Sequence, residues 1–171
     1  MKEVDISVLG KEDPFKLIGH DWMLITAGEA SSFNTMTASW GGFGYLWEMN
    51  VATIYVRPER YTHDFIEAKE KLTLSFYDEK YRRALQICGT KSGRDCRKHE
   101  EAGLTPLELE AGAVTFEQAR LTVVCRKVYQ TEMKAEDIAH KSALRFYGPA
   151  PAQGGLHTLY ILEVESVFVN D

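Results

Sequence analysis

Residues 33–44 (FNTMTASWGGFG) carry the side chains best suited to ligand binding. They combine three hydroxyls, an amide, an indole and three glycines, with no charged residue. A solvated loop normally carries charge, and a buried strand rarely carries so many hydroxyls. The composition suits a backbone that closes around a polar, planar ligand and offers main-chain N–H groups to it. The alternative is a hairpin corner whose glycines only turn the chain.

Two cationic segments could bind phosphate. Arg57, Arg60 and Thr62 fall where a predicted strand gives way to a predicted helix. Helix N-termini attract phosphate, and arginine adds forked, charged donors. The second segment, residues 91–94 (KSGR), lacks the glycine spacing of a P-loop, so nucleotide hydrolysis is not indicated. Its alternative is a loop with two solvated surface cations.

Aromatic residues crowd the end of the hydroxyl-rich run. Trp40, Phe43, Tyr45 and Trp47 lie within eight positions of one another. An indole beside hydroxyls could stack on a flat heteroaromatic ligand, and core packing at one end of a barrel is the alternative.

The remaining reactive side chains do not form a recognisable catalytic or metal-binding pattern. The histidines lack HxxxH or HExxH spacing, the cysteines form no CxxC, and no GxSxG is present. The histidines are His20, His63, His99, His140 and His157, and the cysteines are Cys88, Cys96 and Cys125. We therefore expect no metal site, no disulfide framework and no nucleophilic catalysis. Each cysteine is interpreted as a small buried hydrophobe in a reducing cytoplasm.

Length and composition predict one globular domain spanning residues 1–171. The net charge of −5 argues against a general nucleic-acid binder. No run approaches the roughly 18 apolar residues of a membrane span, and the N-terminus has no apolar signal core. These features predict a cytoplasmic protein with no nucleic-acid or membrane partner.

The hydrophobic pattern indicates a mainly β protein with short inserted helices. Strands are predicted at 22–28, within 33–44, and at 51–56, 72–76, 121–125 and 157–164. Helices are predicted at 63–69, with Thr62 as N-cap, and at 81–87 and 98–102. Loops are predicted at 88–95 and around Pro149, Pro151, Gly154 and Gly155. There is no regular βαβ alternation, which excludes a doubly wound sheet. The pattern favours a closed or nearly closed antiparallel barrel.

Five blocks of the sequence together resemble the flavin reductase-like family, particularly its flavoredoxin branch. They are residues 34–41, 51–62, 88–95, 102–106 and 157–164. The blocks occur in the family's order from about residue 15 onward. Cys96 departs from the family pattern, which puts only the fine geometry of its loop in question.

The resemblance implies a split β-barrel, antiparallel and of Greek-key type, that binds FMN non-covalently as a homodimer with flavin near the interface. By matching position, the resemblance assigns the following residues to the isoalloxazine ring and ribityl chain: Asn34, Thr35, Met36, Thr37, Ala38, Ser39 and Trp40. It assigns four residues to the phosphate end: Arg57, Arg60, Tyr61 and Thr62. It places Lys91 in a loop that approaches the flavin from its own or the partner subunit. A cation near the ring would stabilise the anionic reduced flavin.

The implied function is an FMN-binding oxidoreductase that passes a hydride or electrons from NADH or NADPH to flavin or another acceptor. The chemistry takes place on flavin N5, so no side chain needs a catalytic role. No GxGxxG fingerprint is present, as expected if the nicotinamide stacks on the flavin. The alternatives are an FMN-containing electron-transfer protein served by a redox partner, and a barrel that has lost its flavin.

Overall fold

The computed structural model describes residues 1–109, 112–147 and 156–170. The strands in these ranges are β1 (Lys2–Val4), β2 (Met23–Glu29), β3 (Ser32–Ala38), β4 (Gly41–Leu46), β5 (Met49–Val56), β6 (Lys71–Phe76), β7 (Pro106–Glu108), β8 (Val114–Phe116), β9 (Leu121–Glu132) and β10 (Thr158–Val169). The α-helices are α1 (Tyr61–Ala68), α2 (Arg82–Thr90) and α3 (Lys98–Glu101). A π-type turn (Phe15–Asp21) and 3-10 turns (Ile6–Lys11, Glu79–Tyr81, Ala135–Asp137, Lys141–Tyr147) complete the elements.

Eight strands form one antiparallel sheet in the order β3-β2-β6-β9-β10-β5-β4, with β1 beside the end of β10. Strands β7 and β8 form a separate antiparallel pair. The large sheet is not closed, because β3 and β4 are its two edges. The split barrel predicted from the sequence is confirmed, and the fully closed form of the barrel is excluded.

The core lies inside the curved sheet and is capped by α1. Side chains from β2, β5, β6, β9 and β10 form it, together with Ile66 of α1. Tyr160 is fully buried there, and its hydroxyl donates to Glu67 Oε1 over 2.6 Å. Burial of β-branched and aromatic side chains on a half-covered sheet stabilises these strands.

A second apolar cluster fixes α2 on the outer face of the sheet. Leu85 and Cys88, one helical turn apart, pack with Leu24 of β2 and Phe116 of β8. The contact brings the C-terminal end of α2 beside β3, since Gly89 lies against the side chain of Thr37. The packing of this apolar cluster therefore determines which end of α2 faces the hydroxyl-rich strand β3.

Three sequence predictions are corrected or left open. Thr62 is not the N-cap of α1: Arg60 is, and Thr62 is buried within the first turn. The predicted loop at 88–95 begins later, because α2 continues to Thr90. The proline- and glycine-rich loop predicted at 149–155 lies outside the described residues.

No helix in the described ranges is long and apolar enough to cross a membrane. Nor does this part of the chain bring together three His, Cys, Asp or Glu side chains that could hold a metal.

Gly28 shapes the hairpin that starts β3, and its replacement by Ala should destabilise the fold. Its φ is +117°, and an added Cβ would lie 2.3 Å from Ser32 O and 2.6 Å from Phe33 Cα. We expect the free energy of unfolding to fall by about 2–4 kcal/mol in denaturant titrations. Gly44→Ala is the matched control, since nothing lies within 4 Å of its Cβ position. Equal losses in the two variants would contradict this account.

Candidate functional site

The hydroxyl-rich run forms β3 and the short link to β4, but several of its polar groups hold the fold together. Thr35 is buried, with its hydroxyl 2.9 Å from that of Thr26. Thr37 Oγ1 donates to Leu85 O of α2. Asn34 Nδ2 donates to Thr62 Oγ1 over 2.8 Å. By contrast, Ser39 makes no side-chain hydrogen bond within the described residues.

The C-terminal end of β3 borders a cleft of about 330 Å³, which we call the aromatic cleft. Its lining consists of Met36, Thr37, Ala38, Ser39, Trp40, Tyr55, Arg57, Glu59, Arg60 and His157. Trp40 is 41% exposed, and its ring lies 5.0 Å from His157 and 5.4 Å from Phe146 between centroids. A half-exposed indole at the cleft provides a flat apolar surface that a planar ring could cover.

Arg57 anchors the 3-10 turn Lys141–Tyr147 beside this cleft. Its guanidinium donates to Phe146 O and lies 5.1 Å from the Tyr147 ring centroid. The Tyr147 hydroxyl is hydrogen-bonded to His157 Nδ1 (2.8 Å). Burial, reinforced by the positive charge of Arg57, lowers the pKa of His157 to about 4. His157 is therefore neutral at pH 7, and the positive charges of this cleft come from Arg57 and Arg60.

A smaller cleft of about 160 Å³ adjoins the aromatic cleft, and we call it the cation pocket. Its lining is Met36, Glu59, Arg60, Tyr61, Thr62, Thr90, Lys91, Ser92, Gly93 and Lys98. Met36, Glu59 and Arg60 line both clefts. The two clefts thus meet at the middle of β3.

Two cations of this pocket are held by the C-terminal end of α2. Arg60 donates to Gly89 O over 2.8 Å, and Lys98 Nζ donates to Cys88 O over 3.2 Å. The last carbonyls of a helix lack intrahelical partners and carry partial negative charge, which suits this role. Neither cation forms a salt bridge with a carboxylate among the described residues.

Lys98 is the most deeply buried of these cations, with only 4% of its surface exposed. Burial, together with the charge of nearby Arg60, lowers its pKa to about 8. A buried charge without a counter-ion costs free energy, so the pocket is electrostatically prepared for an anion. Sequence reasoning missed Lys98, because in a run of charged residues (RKHEE) nothing marks one lysine as buried.

The structure distributes the predicted site residues over the two clefts. Of the residues that the resemblance assigns to the phosphate end, Arg57 lines the aromatic cleft, Tyr61 and Thr62 line the cation pocket, and Arg60 lines both. Lys91 lines the cation pocket and pairs with Glu101, which raises the pKa of Lys91.

Asn34 and Thr35 line neither cleft, although Asn34 contacts the cation pocket through Thr62. Tyr55 and His157 line the aromatic cleft and were also missed. Both lie at or beside the paired strands β5 and β10, and strand alternation could have placed Tyr55 on the face opposite the core residue Ile54.

The cysteines are poor nucleophiles. Burial raises the pKa of Cys88 to about 11 and that of Cys125 further still. At neutral pH both are thiols, and both are buried as predicted; Cys96 differs from the prediction, because it is only partly buried.

The open antiparallel sheet, with its edges at β3 and β4, places the chain among split-barrel proteins. The family model for the flavin reductase like domain matches residues 15–171. The chain belongs to the flavin reductase-like family, as the sequence blocks predicted.

Solved structures with the same fold share little sequence with this chain. Flavoredoxin of Desulfovibrio vulgaris (Miyazaki F) is 22% identical, with a TM-score of 0.68 over 88% of this chain and 69% of that one. An FMN-binding protein from Thermus thermophilus is 15% identical, with a TM-score of 0.68 over 100% and 83% of the chains. NADH:FAD oxidoreductase of Streptomyces globisporus C-1027 is 16% identical, with a TM-score of 0.63 over 88% and 75%. The comparison with curated proteins found no match.

Replacing Lys98 with Met should stabilise the ligand-free protein at pH 7. A pKa lowered from 10.5 to about 8 means that the folded state holds this proton less tightly than the unfolded state. Keeping Lys98 charged therefore lowers the free energy of unfolding by about 1–3 kcal/mol. This loss is fully present below pH 8 and disappears as the pH approaches 10.5. The stability difference between variant and wild type should therefore shrink from pH 7 to pH 9.5.

Lys91→Met is the control for this measurement. Lys91 is half exposed and its pKa is raised, so its removal should not give a stability gain that shrinks over the same range. A constant gain for Lys98→Met across this pH range would show that the lysine is not buried as a strained cation.

Proposed function

We propose that this protein is an FMN-binding oxidoreductase whose cofactor occupies the aromatic cleft and the cation pocket together. The carrying observation is the junction of the two clefts: one has a half-exposed indole, and the other has two cations that form no salt bridge with a carboxylate of the described residues. Membership of the flavin reductase-like family supports a flavin as the ligand that matches both.

The donor set of the cation pocket fits a phosphate dianion. Arg60 and Lys98 each donate one hydrogen bond to a carbonyl of α2, and each has further N–H groups that could donate to an anion. Thr62 Oγ1 accepts from Asn34, and Ser92 Oγ accepts from the Arg94 amide, so each hydroxyl proton is free to donate to an anion. Charge-assisted bonds of this kind are the strong ones in phosphate recognition.

The aromatic cleft fits the planar ring of a flavin. Trp40, Tyr55 and neutral His157 supply apolar faces, and Ser39 has a hydroxyl without another partner in the described residues. At about 330 Å³, the cleft is within the usual size of small-molecule sites. Arg57, which pairs with Glu59 over 3.4 Å, is one of the cations of this cleft and would favour negative charge that develops on the ring, as the resemblance proposes for Lys91.

Bound FMN would supply a ring that accepts a hydride or single electrons. The chain's own residues would then hold and orient the cofactor, exclude water from one face through Trp40 and the Lys141–Tyr147 turn, and provide charge. We further propose NADH or NADPH as electron donor, a homodimer as the assembled form and the cytoplasm as its location. The function of NADH:FAD oxidoreductase in a structural neighbour supports the donor.

Comparison of FMN with riboflavin tests which cleft holds the phosphate. Lys98→Met should weaken FMN binding at least about tenfold, since a bond to a charged group is worth roughly 1.5–3 kcal/mol. Riboflavin, which lacks the phosphate, should bind the variant and the wild type equally. Dissociation constants from tryptophan or flavin fluorescence give both values.

Arg57→Gln removes one positive charge from the aromatic cleft and serves as the matched control. It should affect FMN and riboflavin alike. An FMN-selective loss in Arg57→Gln but not in Lys98→Met would reverse the assignment of the two ends. Absence of flavin binding by the wild-type protein would disprove the function itself.

Anaerobic mixing of the FMN-loaded protein with NADH or NADPH separates a reductase from a pure electron carrier. We expect the visible absorbance of the oxidised flavin to bleach within seconds, because typical turnover is about 1–10³ s⁻¹. Flavin that stays yellow with both nucleotides but is bleached by dithionite would instead support the electron carrier.

A further inference from the structure

The hairpin of β4 and β5 carries aromatic side chains that the flavin proposal leaves unused. Tyr45 is 71% exposed and Trp47 is 60% exposed. Trp47 and Glu48 form the two-residue turn, and both have a positive φ, 51° and 62°. Asn and Gly are the usual residues of such a turn, so this hairpin keeps two larger side chains there at a conformational cost. Exposed aromatic rings on a strained turn indicate a contact surface.

Strand β4 is also an unprotected edge of the large sheet. Its sequence, GGFGYL, contains no charge and no proline, and every residue of the strand is at least partly exposed. The opposite edge, β3, is covered, since Thr37 donates to Leu85 O of α2 and Asn34 donates to Thr62 of α1. The short strand β1 has only three residues, two of them charged. Proteins usually protect a sheet edge by such devices, and β4 has none of them in the described residues.

The geometry of the hairpin identifies the backbone groups of β4 that are free to pair. The residues that flank a two-residue turn, here Leu46 and Met49, hydrogen-bond to each other. Hydrogen bonding alternates along an antiparallel strand, so Gly41, Phe43 and Tyr45 direct their N–H and C=O groups away from β5. Within the described residues β4 pairs with β5 alone. Three residues of β4 therefore offer an edge to a further strand.

A second copy of the same strand matches this edge. A two-fold axis at Phe43 aligns two β4 strands antiparallel, and all three outward-facing residues then pair. Tyr45 of each copy lies opposite Gly41 of the other, and an aromatic ring opposite a glycine stabilises the glycine in a strand. Gly42 lies opposite Gly44, so these positions bring no side chains into collision. Like charges do not meet either, because β4 is uncharged.

We propose that this protein forms a two-fold dimer through its β4 edges, and that the hairpin tip of each copy completes the aromatic cleft of the other. With the axis at Phe43, Leu46 of one copy lies across from Trp40 of the second copy. Trp47 in turn lies across from Ser39. Ser39 and Trp40 line the aromatic cleft, and Trp40 is 41% exposed in the single chain. The second copy thus adds apolar cover to the exposed indole.

The inference rests on the proposed function, from which it takes the homodimer and the flavin in the aromatic cleft. It adds the strand that forms the interface, the register of the two copies and the residues that reach the neighbouring site. A strand of a different protein is less well matched, because only a second β4 repeats the alternation of glycine and aromatic residues in the same register.

Sedimentation velocity of the ligand-free protein tests the interface. We expect a dimer for the wild type, and Tyr45→Lys should weaken it at least about tenfold. The substitution removes a cross-strand contact that occurs twice in the dimer and puts a charge on the edge. Phe15→Lys is the matched control, since Phe15 is 86% exposed and lies outside the hairpin, and it should leave the dimer unchanged. Circular dichroism checks that both variants are folded.

Amide hydrogen exchange identifies the strand that pairs. In the wild-type dimer the amides of Phe43 and Tyr45 should be protected, and in Tyr45→Lys the amide of Phe43 should exchange rapidly. The amide of Leu46, which bonds to β5, should stay protected in both proteins and serves as the internal control. Rapid exchange at Phe43 and Tyr45 in the wild type would overturn the interface even if a dimer forms.

The remaining outcomes also decide against or for this dimer. A wild-type monomer, leaving the edge to another protein, would overturn it, and so would an assembly that grows beyond two copies with concentration. A Tyr45→Lys variant that stays as dimeric as the wild type would place the interface elsewhere.

FMN affinity tests whether the second copy contributes to the cleft. Monomeric Tyr45→Lys should bind FMN several-fold more weakly than the wild type, and Phe15→Lys should bind it equally well. Equal FMN affinity for monomeric Tyr45→Lys and the wild-type dimer would overturn this contribution. Flavin binding without a β4 dimer would leave the proposed function standing and refute this inference. A β4 dimer that binds no flavin would refute the proposed function and leave the interface standing.

Discussion

The end of α2 is the point on which the candidate site depends. Its carbonyls at Cys88 and Gly89 accept hydrogen bonds from Lys98 and Arg60, two cations from separate segments of the chain. Without these acceptors, each cation would be enclosed with few polar partners. The second apolar cluster, which includes Leu85 and Cys88, holds α2 in this position.

The same arrangement explains why a binding site can cost stability. A lysine with 4% exposure and no carboxylate partner in the described residues weakens the ligand-free fold. An anion that binds only the folded state returns this free energy through mass action. Other polar side chains nearby, such as Thr35 and Asn34, form hydrogen bonds within the protein. The unfavourable free energy therefore comes from the buried charge and not from these side chains. Under the proposed function, anion binding and stability are therefore opposed at Lys98.

Much of the fold could be read from the sequence, because the signals are local. The apolar run before Gly28, the β-branched residues of β5 and the long final strand were predicted as strands and form β2, β5 and β10. Boundaries were less predictable. Thr62 has the residue type of an N-cap, yet its buried position in the first turn of α1 and its bond to Asn34 decide otherwise. The end of α2 was also predicted wrongly, because the sequence Cys88-Gly89-Thr90 is typical of a loop. In the structure these three residues belong to the helix, which packs on the sheet.

The sequence by itself determined the class of the protein. Its ordered motifs and mainly β pattern identified the flavin reductase-like family and the split barrel, and its hydroxyl-rich run located the strand beside the site. Only the tertiary structure decided which charges share a pocket: Arg57 lies with the indole, Lys98 lies in the cation pocket, and Arg60 lines both clefts. The physical reason is that burial and the alignment of a helix end with a strand are long-range properties. A charged residue such as Lys98 has the same local sequence signal whether it is solvated or enclosed.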